Sequence, residues 1–177
     1  MHAVSRNGKS IGVNVASDWL YVYPKGLQDF LIYSKEKYNN PLIYITENGI
    51  NEYDDPSLSL EESLLDIYRI DYHYRHLFYL KESIKAGVNV KGYFAWSFLD
   101  NFEWHKGYTM RFGMIFVDYK NDLKRYQKLS ASWFKNFLTT DTKLYIDSND
   151  LKRYQKLSAS WFKNFLTTDT KLYIDSI

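Results

Sequence analysis

Apolar positions divide the chain into alternating helix-like and strand-like stretches. From Pro24, the residues Leu27, Phe30, Leu31 and Tyr38 recur near helical spacing, and proline suits a first helical turn. Asn39-Asn40-Pro41 stops that run, so a helix is predicted from Pro24 to about Tyr38. Leu42 to Thr46 is a short unbroken run of β-formers, the pattern of a strand buried on both faces in a parallel sheet. It ends in Glu47-Asn48-Gly49, and a polar stretch over 51–58 reads as a loop. Ser59-Leu60-Glu61-Glu62 has the form of a capping box, serine at the cap and glutamate three residues on. The helix behind it is predicted to run to about Ala86, with Gly87 as its stop; it is longer than most and is expected to be kinked or split. Val88 to Ser97 predicts a second strand, followed by an aromatic loop, FLDNFEWHKGYTMRFG. A short extended piece, Met114 to Val117, precedes a last helix with Leu123, Tyr126, Leu129, Trp133, Phe134 and Phe137 on one face.

This order, helix, strand, helix, strand, helix, predicts an α/β chain. Strands joined by long helical crossovers are expected to lie parallel. In such sheets chemistry gathers at the carboxyl ends of the strands. Glu47 ends the first strand, and Trp96 with the acidic aromatic segment ends the second, so both are expected on one rim.

A duplication changes what the 177-residue length means. Residues 149–176 repeat residues 121–148 letter for letter, leaving Ile177 over. An identical pair beside a non-repetitive stretch is the mark of a recent copying event or a gene-model error. Solenoid repeats diverge and need about three units to bury a core. The net charge of +2 resides in the repeat, since removing one copy brings it to zero. It is too small for an electrostatic nucleic-acid surface. There is no cysteine, which excludes disulfides and thiol chemistry in these residues. No apolar run approaches a membrane span. The segment LKRYQKLSASWFKNF has a second reading, a basic helix lying on a membrane surface, beside the expected one of a barrel helix packed on its sheet. MHAVSRNGKS is polar, lacks the apolar stretch of a signal peptide and reads as a loop.

Candidate chemistry is carboxylate and aromatic. Glu47 closes a strand otherwise too apolar to want a charge; it is either a cap or loop glutamate, or a nucleophile or general base held on a rigid element. Trp96, Glu103 and Trp104 place two indoles and a carboxylate within nine residues. Such a set packs a core with a charged rim, or binds a sugar, ring stacked on the pyranose and carboxylate on its hydroxyls. His73 and His76 lie three apart on a helix without further ligands nearby, and read as surface or packing residues.

The motifs RNGKSIG, SDWLYVYPKGL, KEKYNNPLIYITENG, SLEESLLD, VKGYFAWSFLDNFEW, RFG and FVDY carry a resemblance. Residues 6–138 closely resemble the C-terminal part of glycoside hydrolase family 1, most like plant β-glucosidases acting on cyanogenic or flavonoid glucosides. The resemblance implies the C-terminal part of a (β/α)8 TIM barrel, its last two strands with flanking helices, as an incomplete barrel. It implies domains at 1–138, the barrel portion, and 139–177, a tail holding the copy 149–176. It implies Glu47 as the nucleophile of a retaining glycosidase, Trp96 stacked on glucose, Glu103 on its outer hydroxyls and Trp104 on another. Trp19 and His105 fall where the family lines its aglycone pocket; His105 stands where some relatives carry Phe, so no aglycone preference carries over. Glu103 would repel a phosphorylated sugar, which favours an unphosphorylated β-glucoside as the small-molecule partner. No metal, cofactor, nucleic-acid or membrane partner is implied. Relatives are often secreted, vacuolar or plastidic, which leaves the compartment open here.

The family's acid/base glutamate sits in an Asn-Glu-Pro motif, and this sequence has none: Pro24, Pro41 and Pro56 follow Tyr, Asn and Asp. A retaining mechanism uses two carboxylates about 5–5.5 Å apart. The resemblance places Glu103 on the side of the sugar away from the leaving group. The expectation is therefore a β-glucosidase-like chain without turnover of its own. The alternatives are a non-catalytic homologue that binds carbohydrate or another protein, and a partial gene model.

Overall fold

The computed structural model describes residue 8 and residues 10–139. The second copy of the repeat, and the 139–177 boundary beyond its first residue, lie outside these residues. Two short strands, β1 (Val13–Asn14) and β2 (Tyr21–Val22), pair antiparallel ahead of α1 (Pro24–Lys37), whose proline occupies the first turn as expected. β3 (Ile43–Asn48) follows, then β4 (Glu52–Tyr53) inside the stretch expected to be loop.

The long helix is split. Ser59 caps α2 (Leu60–Ser63), its side chain accepting from the Glu62 N–H while the Glu62 carboxylate accepts from the Ser59 N–H. α3 (Ile67–Lys85) starts afresh after Asp66. β5 (Val90–Ala95) pairs parallel with β3, Ile43 opposite Val90 and Asn48 opposite Ala95. The crossover through α2 and α3 thus returns the chain alongside itself, as the element order predicted.

One face of this parallel pair is sealed. Ile43, Ile45, Val90 and Tyr93 pack with Leu27, Leu31, Leu77, Leu80 and Val88 from α1, α3 and the loop before β5. The other face carries exposed Leu42, Tyr44 and Phe94. The alternation is the two-residue period of a strand covered on one side. It corrects the expectation of burial on both faces.

β6 (Met110–Arg111) pairs with β4, and β7 (Ile115–Asp118) pairs antiparallel with β8 (Lys124–Gln127). α4 (Leu129–Thr139) comes last. The predicted last helix was therefore too long at its start. Leu123 sits in a turn at φ 55° and Tyr126 lies on β8, so neither shares a helix face with Trp133 and Phe137. The apolar spacing matched a helix by chance, and pairing with β7 overrode it. The basic amphipathic helix goes with it: Lys124 and Arg125 are on the strand, and Lys128 is buried on Asp100. Among the described residues no helix is long and apolar enough to cross a membrane.

Beneath these elements runs a buried ionic network that hydrophobic patterning did not reveal. Arg69, on α3, is fully buried and uses all five N–H groups. Nε bonds Asp66 at 2.8 Å; the terminal nitrogens reach Glu52 at 2.6 Å and the carbonyls of Ile50, Phe112 and Arg111. Asp100 accepts from Arg111 at 2.7 Å, from Lys128 at 3.1 Å and from the Gly113 N–H at 2.9 Å. Arg111 also bonds Asp54 at 2.7 Å. Loops after β3 and after β5 are thereby tied to one another.

Candidate active site

The end of β3 presents Glu47, an exposed carboxylate, immediately before Asn48. The Asn48 carbonyl accepts the Trp96 N–H at 2.8 Å, across the parallel pair. Gly49 follows, and a Cβ there would collide with the Trp96 carbonyl oxygen. Glycine is what lets the two strand ends close up. The Trp96–Ser97 peptide is cis, and the Trp96 ring is half-buried. Glu47 and Trp96 therefore stand at the carboxyl ends of neighbouring parallel strands.

Asn48 is held from below. Its Oδ1 accepts from the Tyr93 hydroxyl at 2.7 Å, and that hydroxyl lies 2.8 Å from His73 Nδ1. The Tyr72 hydroxyl faces the Asn48 side chain and the Gly49 backbone, which act on it as donors. Burial pushes the Tyr72 phenol up to about 12 and raises Tyr93 further, so both remain neutral at any ordinary pH. Burial holds His73 down to about 3 and His76 down to about 4. Both histidines are buried packing residues, with His76 Nδ1 occupied by the Tyr72 carbonyl at 2.7 Å. Among the described residues no cluster of three or more His, Cys, Asp or Glu could hold a metal.

Glu103 is built by the loop after β5. Its Oε1 accepts from Asn101 Nδ2 at 2.7 Å, and Asn101 Oδ1 accepts from Ser97 Oγ at 3.1 Å. Its N–H bonds the Gly107 carbonyl at 2.7 Å, closing a tight turn in which Trp104 takes φ 47° and Gly107 φ 59°. That turn leaves Trp104 83% exposed. Trp19 is 55% exposed on a segment tied to the rest by the buried Asn51–Ser17 bond, 2.8 Å, and by Lys106–Asp18, 3.8 Å.

A cavity of about 140 Å³ is lined by Trp19, Glu103, Trp104 and His105, with Asn51, Lys106, Met110 and Phe112. Four of the six residues singled out from the sequence thus meet in one pocket, though Trp19 and His105 lie 86 positions apart. Glu47 and Trp96 form the other pair and do not line it. A larger cavity, about 190 Å³, lies between Asp54–Ser63 and Arg111–Lys120 and contains none of the six. Sequence reasoning missed Asn48, Tyr93, Tyr72 and Asn101. Asn48 and Asn101 lie one and two residues from the glutamates they serve, which was the available signal; the tyrosines left none, because their partners are 45 and 24 positions away.

The profile of glycosyl hydrolase family 1 matches residues 2–143. The chain belongs to glycosyl hydrolase family 1. It is 63% identical over 139 residues to an isoflavonoid 7-O-β-apiosyl-glucoside β-glycosidase of Dalbergia nigrescens, covering 78% of this chain and 25% of that protein. It is 59% identical over 133 residues to a rice β-glucosidase, covering 75% and 26%. Among solved structures it is similar to a rice β-glucosidase variant in covalent complex with glucose, at TM-score 0.74 and 50% identity, over 77% of this chain and 29% of that one. A β-glucosidase of the fungus Humicola insolens in complex with glucose gives TM-score 0.71 at 40% identity, over 76% and 28%. These structural relatives are TIM barrels, and this family member spans about a quarter of the length of the curated relatives it matches.

Proposed function

We propose that this chain carries the nucleophile and part of the glucose-binding wall of a retaining β-glucosidase site. It belongs, on this reading, to the C-terminal part of the barrel, with β3 and β5 as the last two barrel strands. The substrates are small-molecule glycosides with a terminal β-D-glucosyl residue. Glu47 attacks the anomeric carbon as the aglycone leaves, and water then releases the sugar from the covalent glycosyl intermediate. Trp96 stacks on the ring, Glu103 and Trp104 take its outer hydroxyls, and Trp19 and His105 border the aglycone. The observation that supports this most is the placement of Glu47 beside Trp96 at the carboxyl ends of two parallel strands.

The 177 residues do not themselves supply a partner acid for the leaving group. We expect purified chain with an aryl β-glucoside to release aglycone no faster than its Glu47→Gln variant, at the rate of the blank. Turnover that vanishes in Glu47→Gln would overturn this self-insufficiency while supporting the nucleophile; turnover that survives it would remove Glu47 from that role. The Trp19–Glu103–Trp104 pocket favours a second reading, sugar binding without hydrolysis. Tryptophan fluorescence titrated with glucose checks it: a saturable change lost in Glu103→Ala is its expected signature.

A further inference from the structure

We propose that the open face and free edges of the β3–β5 pair are a docking surface for a second polypeptide, one that carries the strands and helices of the first three-quarters of a family 1 β-glucosidase. This rests on the proposed reading of β3 and β5 as the last two barrel strands. The two strands pair with each other and with no further strand among the described residues, so each keeps one edge of unpaired N–H and C=O groups. Side chains of α1 and α3 seal one face of the pair. On the other face Leu42, Tyr44 and Phe94 are 59%, 53% and 56% exposed. Tyr44 stands opposite Gly92 in the register, and a Cβ on Gly92 would come within 2.6 Å of the Tyr44 ring and 3.3 Å of the Phe94 ring. The Tyr44 ring therefore lies across Gly92 toward Phe94, and the apolar patch is continuous over both strands. It leads to Thr46 and Glu47, both exposed, at the carboxyl end of β3.

The occupant follows from what the same strands belong to in the relatives. The rice β-glucosidase variant matches 77% of this chain with 29% of its own, so most of that protein lies outside the match. An eight-stranded barrel pairs every strand edge and fills its interior with inward side chains, its helices forming the outer ring. Here the helices are on the sealed face, so the open face is the one that a barrel turns inward. A second copy of this chain does not suit the same surface. A two-fold partner joined edge to edge either runs its strand antiparallel or turns its apolar face to the opposite side; in both cases edges stay open and no interior is enclosed. A chain with the other barrel strands pairs both edges in parallel and covers Tyr44 and Phe94. It also brings the second carboxylate that a retaining site needs opposite Glu47.

The test is co-expression. The full 177-residue chain, affinity-tagged, is produced with an untagged fragment of the 59% identical rice β-glucosidase that stops where the match to this chain begins. The fragment used is one that assembles with the rice protein's own remaining segment. An equimolar complex is expected on size exclusion, and it is expected to hydrolyse an aryl β-glucoside that neither chain hydrolyses alone. Tyr44→Lys/Phe94→Lys is expected to lower complex recovery at least about 100-fold, because each ammonium would be buried on an apolar face without a partner. Both side chains are exposed in the lone chain, so its urea midpoint is expected to hold in the same variant. Glu47→Gln is expected to keep the complex and lose the turnover. A complex that forms, depends on Tyr44 and Phe94, and stays inactive would support the docking and remove the nucleophile assignment. No complex, a complex indifferent to Tyr44→Lys/Phe94→Lys, or a dimer of this chain alone that the same variant abolishes would overturn the proposal and leave the role of Glu47 untouched.

Discussion

Asn48 holds the residue beside it in place. Its amide takes the Tyr93 hydroxyl and meets that of Tyr72, and its carbonyl takes the Trp96 N–H. Asn48→Ala takes one partner from each of two buried phenols, leaving His73 Nδ1 to Tyr93 and the Gly49 backbone to Tyr72, and an unmade buried hydrogen bond costs about 1–3 kcal/mol. The expected loss is about 1–3 kcal/mol by urea denaturation, and Tyr93→Phe, which takes the hydroxyl from both Asn48 Oδ1 and His73 Nδ1, is expected to cost a similar amount. Gly49→Ala is expected to cost more than Tyr93→Phe, because the new methyl meets backbone on the Trp96 side and backbone has nowhere to move. Glu47 and Glu103 were legible as candidates because a carboxylate in an apolar context is conspicuous. Asn48 and Asn101 were not, since an asparagine in a loop has many ordinary uses.

At the scale of the element, α3 carries the pH response. His73 and His76 are neutral in the fold, with pKa values near 3 and 4 against an ordinary 6.5. The unfolded chain therefore binds more protons below pH 6.5. Their stabilising effect is full above that pH and is lost as pH falls toward the folded values. By pH 5 each histidine costs about 2 kcal/mol. Asp66 acts with the opposite sign: burial pushes its carboxyl up to about 6 from 3.8, so the fold regains about 1 kcal/mol over the same interval. A net loss of about 2–3 kcal/mol is expected between pH 7 and pH 5 in urea titrations, and His76→Leu should roughly halve the histidine part. A stability that rises on acidification would contradict this assignment. The helices and parallel strands were legible from spacing and caps. The start of α4 was not, because the sequence around Tyr126 satisfies both periods and only the presence of β7 decides between them.

Across the whole molecule, the network around Arg69 and Arg111 joins segments that the chain order separates. Arg69 alone bonds groups on or beside β3, β4, β6 and α3. Arg69→Met leaves Asp66 and Glu52 without their main counter-charge and three carbonyls without a donor. A loss of about 3–5 kcal/mol is expected on thermal or urea unfolding. Arg69→Lys should recover little of it, since an ammonium offers three donors where five acceptors wait. The network also connects the loop after β3, beyond Glu47, with the loop after β5, which leads to Glu103. Damage to Arg69 is therefore expected to shift the fluorescence of Trp104 and Trp19 along with stability.

The sequence by itself determined the α/β class, the parallel pairing, the helix starts at Pro24 and Ser59, the family, and the six residues worth following. Each of these depends on local spacing or on short contiguous motifs, which are written in the order they act. Only the tertiary structure decided that Trp19 joins Glu103, Trp104 and His105 in one pocket, that Glu47 and Trp96 form a separate pair, and that Lys128 is a buried partner of Asp100 and not part of a basic helix face. Those outcomes turn on hydrogen bonds and ion pairs between residues far apart in the chain, whose strength is set by burial and direction, and neither is encoded in spacing along the sequence.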